Sequence, residues 1–423
     1  MLIKKASLFV LCFWSVSFFG QNTIKAMFYN ILNYNSDTES QNRTPHLKTI
    51  LETVQPDLFM VCELKNETAS DYLYTNAILP FKQSFEKAPF KYSESPATNL
   101  LQMVYYNSAK LELEQTSVIP TQIRDINHYT FKVKVESGNS NPVRIEVFVT
   151  HLKASRGQDN REKRNASVTT FTRELDRLPT DSYVLFAGDF NFYTSNESGF
   201  QTIINSSNPI KIIDPVNRLC PAFPDDNKDY FNDDYDSTYF WNNSSFADVH
   251  SQSTRSSSLS DGSGGGMDDR FDFILISENL TKNNNLYYKP ESYKTIGNNG
   301  NCYNSFVSNT TCLGEFSQNL RNALYQFSDH LPITLDLQVA NTLSIYNTAS
   351  IKFLNSNIVK DYLSIQVSDI NLKSITIYNH LGQKVKSIEI NNQKEISINL
   401  TSFSKGVYYL TADSLQPKKI IKI

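Results

Sequence analysis

The sequence lacks the patterns that indicate several common classes of protein. No internal stretch of the 423 residues approaches the roughly 18 to 20 consecutive apolar residues that span a bilayer. There is no Cys-x-x-Cys pair and no Cys/His pattern with the spacing of a zinc site. These absences argue against a membrane-spanning core, a dithiol redox centre and a zinc finger. A hydrophobic content of 40% and a mean hydropathy of −0.39 are typical of a soluble globular protein.

The chain also lacks an excess of basic charge. Its formal net charge is −3, and the charges are unevenly distributed: residues 342–423 carry +5, whereas residues 21–341 carry −10. Non-specific nucleic-acid binding draws on basic surface. The larger, acidic part is therefore not expected to bind duplexes tightly through its overall charge.

Three segments are expected along the chain. Lys4 and Lys5 precede an apolar run that ends at Gly20, which predicts a signal peptide over residues 1–20 and export of the chain. Residues 21–339 are expected to form a catalytic domain. From residue 340 to 423 the sequence becomes a series of short alternating runs separated by Gly and Asn turns, which predicts a small all-β module.

The most informative segment is SYVLFAGDFN, residues 182–191. A short apolar run predicts a buried strand, Gly188 permits close backbone approach, and Asp189 and Asn191 then point the same way with period two. Core strands do not normally end in two polar side chains. The segment therefore predicts ligands at a strand tip.

The same arrangement recurs in five further segments, where an apolar run carries a polar side chain at or beside its end. These side chains are Asn30, Glu63, His151, Asp272 and the pair Asp329 and His330. A predicted helix over residues 46–55 precedes the Glu63 strand, which favours a layered α/β fold. Such a set can hold a hard divalent cation through oxygens while two imidazoles stay free, which suits Mg²⁺-assisted attack on a phosphate.

These motifs, in this order, resemble the endonuclease/exonuclease/phosphatase superfamily, which includes deoxyribonucleases, sphingomyelinases and inositol-phosphate phosphatases. The resemblance spans residues 30–330. It implies an α/β fold, a four-layer sandwich of two packed mixed β-sheets flanked by helices and followed here by the small all-β sandwich domain. It also implies a divalent-metal cofactor, Mg²⁺ with Mn²⁺ or Ca²⁺ as alternatives.

The resemblance implies roles for individual residues. Glu63 is expected to be the primary metal ligand, with Asn30 and Asp329 completing or orienting the metal shell. His330 is expected to act as general base, oriented by Asp272, while His151 donates a hydrogen bond or proton to the phosphate. Asp189 would orient the attacking water, and Asn191 would bind a phosphate oxygen.

Three weaker expectations accompany these roles. Arg124 resembles a phosphate-contacting arginine, and Glu94 is expected to pair with His151. A group of basic residues follows His151: Lys153, Arg156, Arg161, Lys163 and Arg164. They lead into a predicted helix, in which the spacing of Val168, Phe171, Leu175 and Leu178 would bury one face. Phosphate contact and an ordinary solvated helix start both remain open for this group.

The C-terminal segment resembles the sorting domain of type IX secretion. The resemblance is carried by KDYLSIQ, SITIYNHLGQKV, residues 400–410 and the basic end KKIIKI, although LNSN stands at residues 354–357 in place of the usual Pro-Asn-Pro. It implies a secreted or cell-surface protein with the type IX secretion machinery as a partner. A carbohydrate-binding or adhesive β-sandwich is the alternative.

Two surface segments and the cysteines complete the expectations. The Ser/Gly-rich residues 251–266 predict a mobile loop, either a substrate lid or a passive insertion. Residues 225–236 cluster acids with aromatics and predict a solvated acidic loop or a structural Ca²⁺ site. Cys302 and Cys312 can close a short disulfide in an exported chain, and Cys62 is expected to be a buried free thiol.

The leading hypothesis is a secreted divalent-metal-dependent phosphodiesterase that hydrolyses extracellular DNA or RNA. The alternative within the same chemistry is a sphingomyelinase or phospholipase C-like enzyme that acts on a phospholipid headgroup, or another phosphoesterase. A catalytically idle binding or adhesion protein is the hypothesis from a different class. No stable protein partner is evident, and a monomer is expected.

Overall fold

The computed structural model of the protein describes residues 23–95, 99–134, 142–225, 228–231, 235–256, 259, 261–282, 284–340, 351–367, 374–390, 393–411 and 417–423. The predicted signal peptide lies outside these residues. The described residues up to Ala340 form one compact unit, and those from Ile351 onward form a second. Within the described part of the chain, no helix is both long enough and apolar enough to span a bilayer.

The larger unit contains thirteen described strands and six described α-helices. The strands are β1 (Thr23–Tyr34), β2 (Leu58–Leu64), β3 (Phe85–Lys87), β4 (Leu101–Asn107), β5 (Leu111–Ile119), β6 (Ile126–Val133), β7 (Arg144–His151), β8 (Val184–Asp189), β9 (Ile212–Ile213), β10 (Asp272–Ser277), β11 (Leu286–Tyr288), β12 (Lys294–Thr295) and β13 (Ile333–Val339). The helices are α1 (Thr38–Val54), α2 (Glu67–Leu73), α3 (Leu79–Phe81), α4 (Gln158–Leu175), α5 (Ser198–Ile203) and α6 (Gln318–Phe327). A π-helical turn, Tyr74–Ile78, joins α2 to α3, and 3₁₀ turns lie at Ser237–Tyr239, Ser244–Phe246 and Glu278–Thr281.

The strands form two mixed sheets. The first has the order β11-β13-β1-β2-β4-β3 with β12 beside β13, and the second has the order β5-β6-β7-β8-β10-β9. Within the described residues of these two sheets, β1 pairs with β2 and β7 with β8 in parallel, and the other pairs are antiparallel. In each sheet the parallel pair sits at the centre and brings two carboxyl ends to one edge.

Buried side chains join the sheets and helices into layers. One hydrophobic cluster contains residues of both sheets, such as Met60 and Ile274, together with Leu47 of α1 and Leu324 of α6. A second cluster lies between the second sheet and helices α4 and α5; in it the rings of Phe171 and Phe186 stack with centroids 3.7 Å apart. The order helix, sheet, sheet, helix confirms the predicted α/β sandwich.

The predicted helices are present, with corrected ends. Helix α1 begins at Thr38, eight residues earlier than predicted, because the Asp37 carboxylate accepts a hydrogen bond from the backbone N–H of Ser40 (2.8 Å) and caps the helix. It ends where Gln55 adopts a left-handed conformation with φ 57°. Helix α4 buries Val168, Phe171 and Leu175 as predicted, whereas Leu178 lies beyond its end.

The second unit is entirely β in its described residues, as predicted. Its strands are β14 (Ile351–Phe353), β15 (Ile358–Val359), β16 (Tyr362–Val367), β17 (Ser374–Asn379), β18 (Lys384–Glu389), β19 (Glu395–Asn399), β20 (Gly406–Thr411) and β21 (Lys418–Lys422). They form a three-stranded sheet, β14-β16-β19, and a five-stranded sheet, β15-β21-β20-β17-β18. The unit has a separate hydrophobic core that includes Leu363, Ile377 and Leu410.

Candidate active site

The polar residues predicted at strand ends come from both sheets of the larger unit. Asn30 pairs in parallel register with Cys62, beside Glu63, in the first sheet. In the second sheet Asp189 is opposite His151 on one side and Asp272 on the other. A hydrogen bond from Asn30 to Asp189 joins the two groups across the sheets.

Gly188 allows the two central strands of the second sheet to approach closely. A Cβ at this position would lie 2.5 Å from the backbone oxygen of Thr150 and 2.6 Å from its Cγ2. Any side chain would therefore push β7 and β8 apart. The glycine sets the spacing between His151 and Asp189, the residues that follow Thr150 and Gly188.

Asn30 links the two sheets at the site. Its Nδ2 donates to Oε1 of Glu63 (2.9 Å) and to Oδ2 of Asp189 (3.0 Å), and its Oδ1 accepts from the backbone N–H of Leu32 (3.0 Å). Because the amide oxygen already has a donor, Asn30 in this structure orients two carboxylates. This is the orienting one of the two roles predicted for Asn30, and its role as a direct metal ligand stays a prediction.

Glu63 has an unusual backbone conformation. Its φ is 64°, in the left-handed region that non-glycine residues seldom occupy, and Leu32 and Asn33 nearby have φ values of 48° and 47°. The Glu63 Oε2 accepts from the backbone N–H of Asn33 (2.8 Å). Such conformations cluster at functional sites, where the surrounding structure holds them.

His151 and Asn191 complete the surroundings of Asp189. The Nε2 atom of His151 lies 3.5 Å from Oδ2 of Asp189 and 3.8 Å from Oε1 of Glu63. Asn191, with φ 52°, donates from Nδ2 to Oδ1 of Asp189 (2.8 Å). Burial, followed by the charges of Arg124 and His330, lowers the pKa of His151 well below its ordinary value, so this imidazole is neutral at pH 7.

The predicted pairing of Glu94 with His151 is wrong in this structure. Glu94 is exposed, and its backbone N–H donates to Oδ2 of Asp125 (2.6 Å). The Nδ1 atom of His151 is buried and has no hydrogen-bond partner among the described residues. The carboxylates beside His151 are instead those of Glu63 and Asp189.

His330 and Asp272 form a buried pair. Nδ1 of His330 lies 2.7 Å from Oδ2 of Asp272, and both side chains are at most 3% exposed. Burial alone would lower the pKa of His330, but the charges of Asp272, Asp189 and Asp329 outweigh it and hold that pKa well above its ordinary value. The other ring nitrogen, Nε2, lies 3.8 Å from Oδ2 of Asp189.

Two residues missed by the sequence reasoning contact this pair. Ser251 Oγ donates to Oδ2 of Asp272 (2.6 Å), and Nε2 of the Gln252 amide lies 2.5 Å from Nε2 of His330. Both residues belong to the segment predicted as a mobile lid or passive insertion. Its Ser/Gly composition concealed the first two residues, which are hydrogen-bonded at the site, and part of the segment lies outside the described residues.

Asp329 is separated from the other carboxylates. Its Oδ2 accepts from the backbone N–H of Ser263 (2.7 Å), and a Cβ on Gly262 would lie 2.8 Å from its carboxyl carbon. Among the described residues, two groups of side chains lie close enough together to share a metal ion: Glu63, His151 and Asp189, and Asp189, Asp272 and His330. Asp329 belongs to neither group. Its charge nevertheless raises the pKa of His330, and its role in the metal shell stays a prediction.

The basic residues after His151 do not form one exposed patch. Arg164 is fully buried and pairs with Glu197, its Nε 2.9 Å from Oε2. The Arg156 guanidinium stacks on the ring of Tyr193, 4.7 Å from the ring centroid. Arg124, which precedes His151 in the sequence, donates to the backbone oxygen of Leu152 (2.7 Å). Arg124 nevertheless lies close enough to lower the pKa of His151, so it contributes positive charge to the site.

The sequence also predicts a disulfide, a buried free thiol and an acidic loop. Cys302 and Cys312 form the predicted disulfide, and Cys62 is the expected buried free thiol. The acidic-aromatic segment 225–236 lies partly outside the described residues. Its described aromatics cluster, with Phe223 stacked on Tyr230 at 4.6 Å between centroids.

The donor set fits a hard divalent cation. Burial raises the pKa of Asp189 to about 7, and the carboxylates of Asp272 and Glu63 add to this rise against the opposing charge of His330. One oxygen of Asp272 and one of Asp329 are buried without a hydrogen-bond partner in the described part of the chain. Buried carboxylate oxygens of this kind are hard ligands that suit Mg²⁺, Mn²⁺ or Ca²⁺.

Comparisons with solved structures give several distant likenesses. A humanized D. rerio TDP2 is 14% identical, with a TM-score of 0.45 over 75% of this chain and 100% of that one. The human nocturnin catalytic domain with bound sulfate is 16% identical, with a TM-score of 0.44 over 76% and 96%. An endonuclease/exonuclease/phosphatase family protein from Bacteroides thetaiotaomicron is 12% identical, with a TM-score of 0.44 over 75% and 98%.

The search of curated proteins found no match to the chain. At the C-terminal end, residues 357–423 match the family model described as the secretion system C-terminal sorting domain. This match covers most of the all-β unit and confirms the resemblance identified from its sequence. The chain therefore carries a type IX secretion C-terminal sorting domain and belongs to the proteins that are secreted or attached to the cell surface.

Proposed function

We propose that the larger unit is a divalent-metal-dependent phosphodiesterase of the endonuclease/exonuclease/phosphatase superfamily. The observation that carries the proposal is the pair of buried histidines on either side of Asp189. The neutral His151 lies 3.5 Å from this carboxylate, and the Asp272-bound His330 lies 3.8 Å from it. One imidazole is prepared to donate or share a proton, and the other is held by a carboxylate as a base.

A phosphodiester bound at this site would meet groups with distinct tasks. His330, oriented by Asp272, takes the proton of the attacking water, because an imidazole held by a carboxylate presents its second nitrogen in a fixed direction. Asp189 orients that water. His151 and Asn191 hydrogen-bond the phosphate oxygens, on which negative charge grows in the transition state.

Glu63 and Asp189, oriented by Asn30, would hold the divalent cation. The cation would supply charge neutralisation at the phosphate and stabilisation of the leaving oxygen. With the cation bound, the charges of the carboxylates would be partly neutralised, and the pKa of His330 would fall towards the range in which a base works at neutral pH.

Nucleic acid is the substrate that we propose. Arg124 adds positive charge beside His151, and export through the sorting domain brings the enzyme to extracellular DNA or RNA. A phospholipid headgroup is the weaker candidate: the aromatic segment that would have to enter a membrane lies next to Asp225, Asp229 and Asp236, and these acids repel anionic lipid.

The test is hydrolysis by the purified secreted protein of plasmid DNA, RNA, sphingomyelin and bis-p-nitrophenyl phosphate, with Mg²⁺ and with EDTA. We expect metal-dependent cleavage of nucleic acid and its loss in His330→Ala. His128→Ala is the matched control, because His128 also pairs with a carboxylate, Glu146 at 2.8 Å, but on β6 and β7 away from the strand ends. Full activity of His330→Ala, or cleavage in EDTA, would contradict the mechanism.

A further inference from the structure

The segment that carries Ser251 and Gln252 is fixed in the site by its backbone. Ser251 accepts from the backbone N–H of Leu331 (2.8 Å) and donates to the backbone oxygen of Asp269 (2.8 Å). The Gln252 backbone oxygen accepts from the N–H groups of Asp268 and Asp269 (3.0 and 2.9 Å). The main chain of Ser251 and Gln252 is thus hydrogen-bonded to the segment before Asp272 and to Leu331, the residue after His330.

The side chain of Gln252 is held differently from its backbone. In the described part of the chain, the amide contacts one polar partner, Nε2 of His330 at 2.5 Å. This is the nitrogen that faces Asp189 at 3.8 Å. In the proposed reaction the attacking water binds between these two groups, so the amide occupies the position that the water needs.

We infer that Gln252, which lies outside the motifs identified in the sequence, is an additional substrate-positioning residue; this inference rests on the proposed function. Its amide holds Nε2 of His330 in the free enzyme. When a phosphodiester binds, the amide moves to a non-bridging oxygen of the scissile phosphate and leaves the imidazole to the water.

The chemistry of a carboxamide suits this exchange. A glutamine side chain has both a donor and an acceptor, so it can donate to a neutral imidazole or, after rotation of the amide, accept from a protonated one. Its N–H groups can equally donate to a phosphate oxygen, and hydrogen bonds to charged acceptors are the stronger kind. A fixed backbone and a single side-chain bond leave the amide free to change partner.

The contact with phosphate would be made in the bound substrate as well as in the transition state. Its loss should therefore raise KM and leave kcat nearly unchanged. A residue that only holds the His330 ring would behave in the opposite way, because its loss would lower kcat through a misplaced base and leave KM unchanged. The two roles are separable by steady-state kinetics.

The variants are Gln252→Leu, which keeps the approximate shape without the amide, and Gln252→Asn, which keeps the amide on a shorter side chain. With bis-p-nitrophenyl phosphate and Mg²⁺, we expect Gln252→Leu to raise KM about 10- to 100-fold, the range for a hydrogen bond to a charged group, with kcat changed less than about 3-fold. Gln252→Asn should recover part of this loss. Unchanged thermal unfolding of both variants verifies the fold.

A phosphorothioate diester sharpens the test. Sulfur in place of the non-bridging oxygen that Gln252 binds weakens that hydrogen bond. The diastereomer with sulfur at this position should therefore raise the KM of the wild type, but it should raise the KM of Gln252→Leu little further. Three results would overturn the role of Gln252 in binding phosphate. The effects of Gln252→Leu and of sulfur could add for both diastereomers, Gln252→Leu could leave KM unchanged, or it could lower kcat alone. A wild type that hydrolyses no phosphodiester would overturn the proposed function itself and this inference with it.

Discussion

Replacing Asp189 by asparagine should make the metal-free protein more stable while it removes activity. The pKa of this carboxyl rises from 3.8 to about 7 in the folded protein. Each unit of pKa corresponds to about 1.4 kcal/mol, so the buried charge costs about 4 kcal/mol of folding free energy above pH 7. Asparagine is uncharged but replaces an acceptor for Asn30 or Asn191, which costs about 1 to 2 kcal/mol.

The net gain should be about 2 kcal/mol at pH 8 and should depend on pH with a defined sign. A carboxyl with a raised folded pKa destabilises the protein fully above that pKa, and the cost fades as pH falls towards 3.8. At pH 5 the stability gained by removing the buried charge and the stability lost with the hydrogen bond nearly cancel, so the two proteins should have similar free energies of unfolding. Activity with Mg²⁺ should fall at least about 100-fold, since Asp189 orients the water.

The assay is urea unfolding in EDTA at pH 8 and pH 5, followed by fluorescence of Trp241, the single tryptophan after residue 20 and a buried residue of the larger unit. Asp57→Asn is the matched control: Lys110 and Asn107 outweigh burial and lower the pKa of Asp57, so this variant should be less stable at pH 8. A less stable Asp189→Asn at pH 8, or a gain that is equal at both pH values, would refute the reasoning.

Three further outcomes are expected. Gly188→Ala should reduce kcat/KM more than about 10-fold, because the alanine Cβ would lie 2.5 Å from the Thr150 oxygen and move His151 away from Asp189. A kcat/KM equal to that of the wild type would disprove this. Arg164→Ala should lower the urea-unfolding free energy by about 3 to 5 kcal/mol, since it leaves Glu197 buried and unpaired; a loss under about 1 kcal/mol would show that water compensates. Replacing both Cys302 and Cys312 by serine should cost about 2 to 3 kcal/mol in the same assay, as expected for closing a loop with a sequence separation of 10, and unchanged stability would count against that entropy argument.

Sequence reasoning located the site because polar residues at the ends of apolar strands leave a local signal. Asp189 and Asn191 follow a buried run, and His151 closes another, so their convergence could be predicted from the fold that the motifs imply. The sequence could not reveal that the Asn30 oxygen is occupied by a backbone N–H or that the Asp329 carboxylate faces Ser263. These outcomes depend on side-chain rotation and on a loop distant in sequence.

Composition misled in two places for a physical reason. Residues 251–266 are rich in serine and glycine, which predicts a loop, but a Ser/Gly-rich stretch can begin with residues such as Ser251 whose hydroxyl satisfies a buried carboxylate. Charge counting likewise grouped Arg164 with exposed basic residues. Its burial could not be inferred because its partner, Glu197, is 33 positions away.

The attachment of Asn30 and Glu63 to one sheet, and of His151 and Asp189 to the other, makes catalysis sensitive to a motion that barely affects stability. A slide of one sheet over the other by about 1 Å keeps the apolar faces in contact, yet it breaks the 3.0 Å bond between the Asn30 amide and Asp189. Heat or mild denaturant should therefore inactivate the enzyme before its tryptophan signal changes.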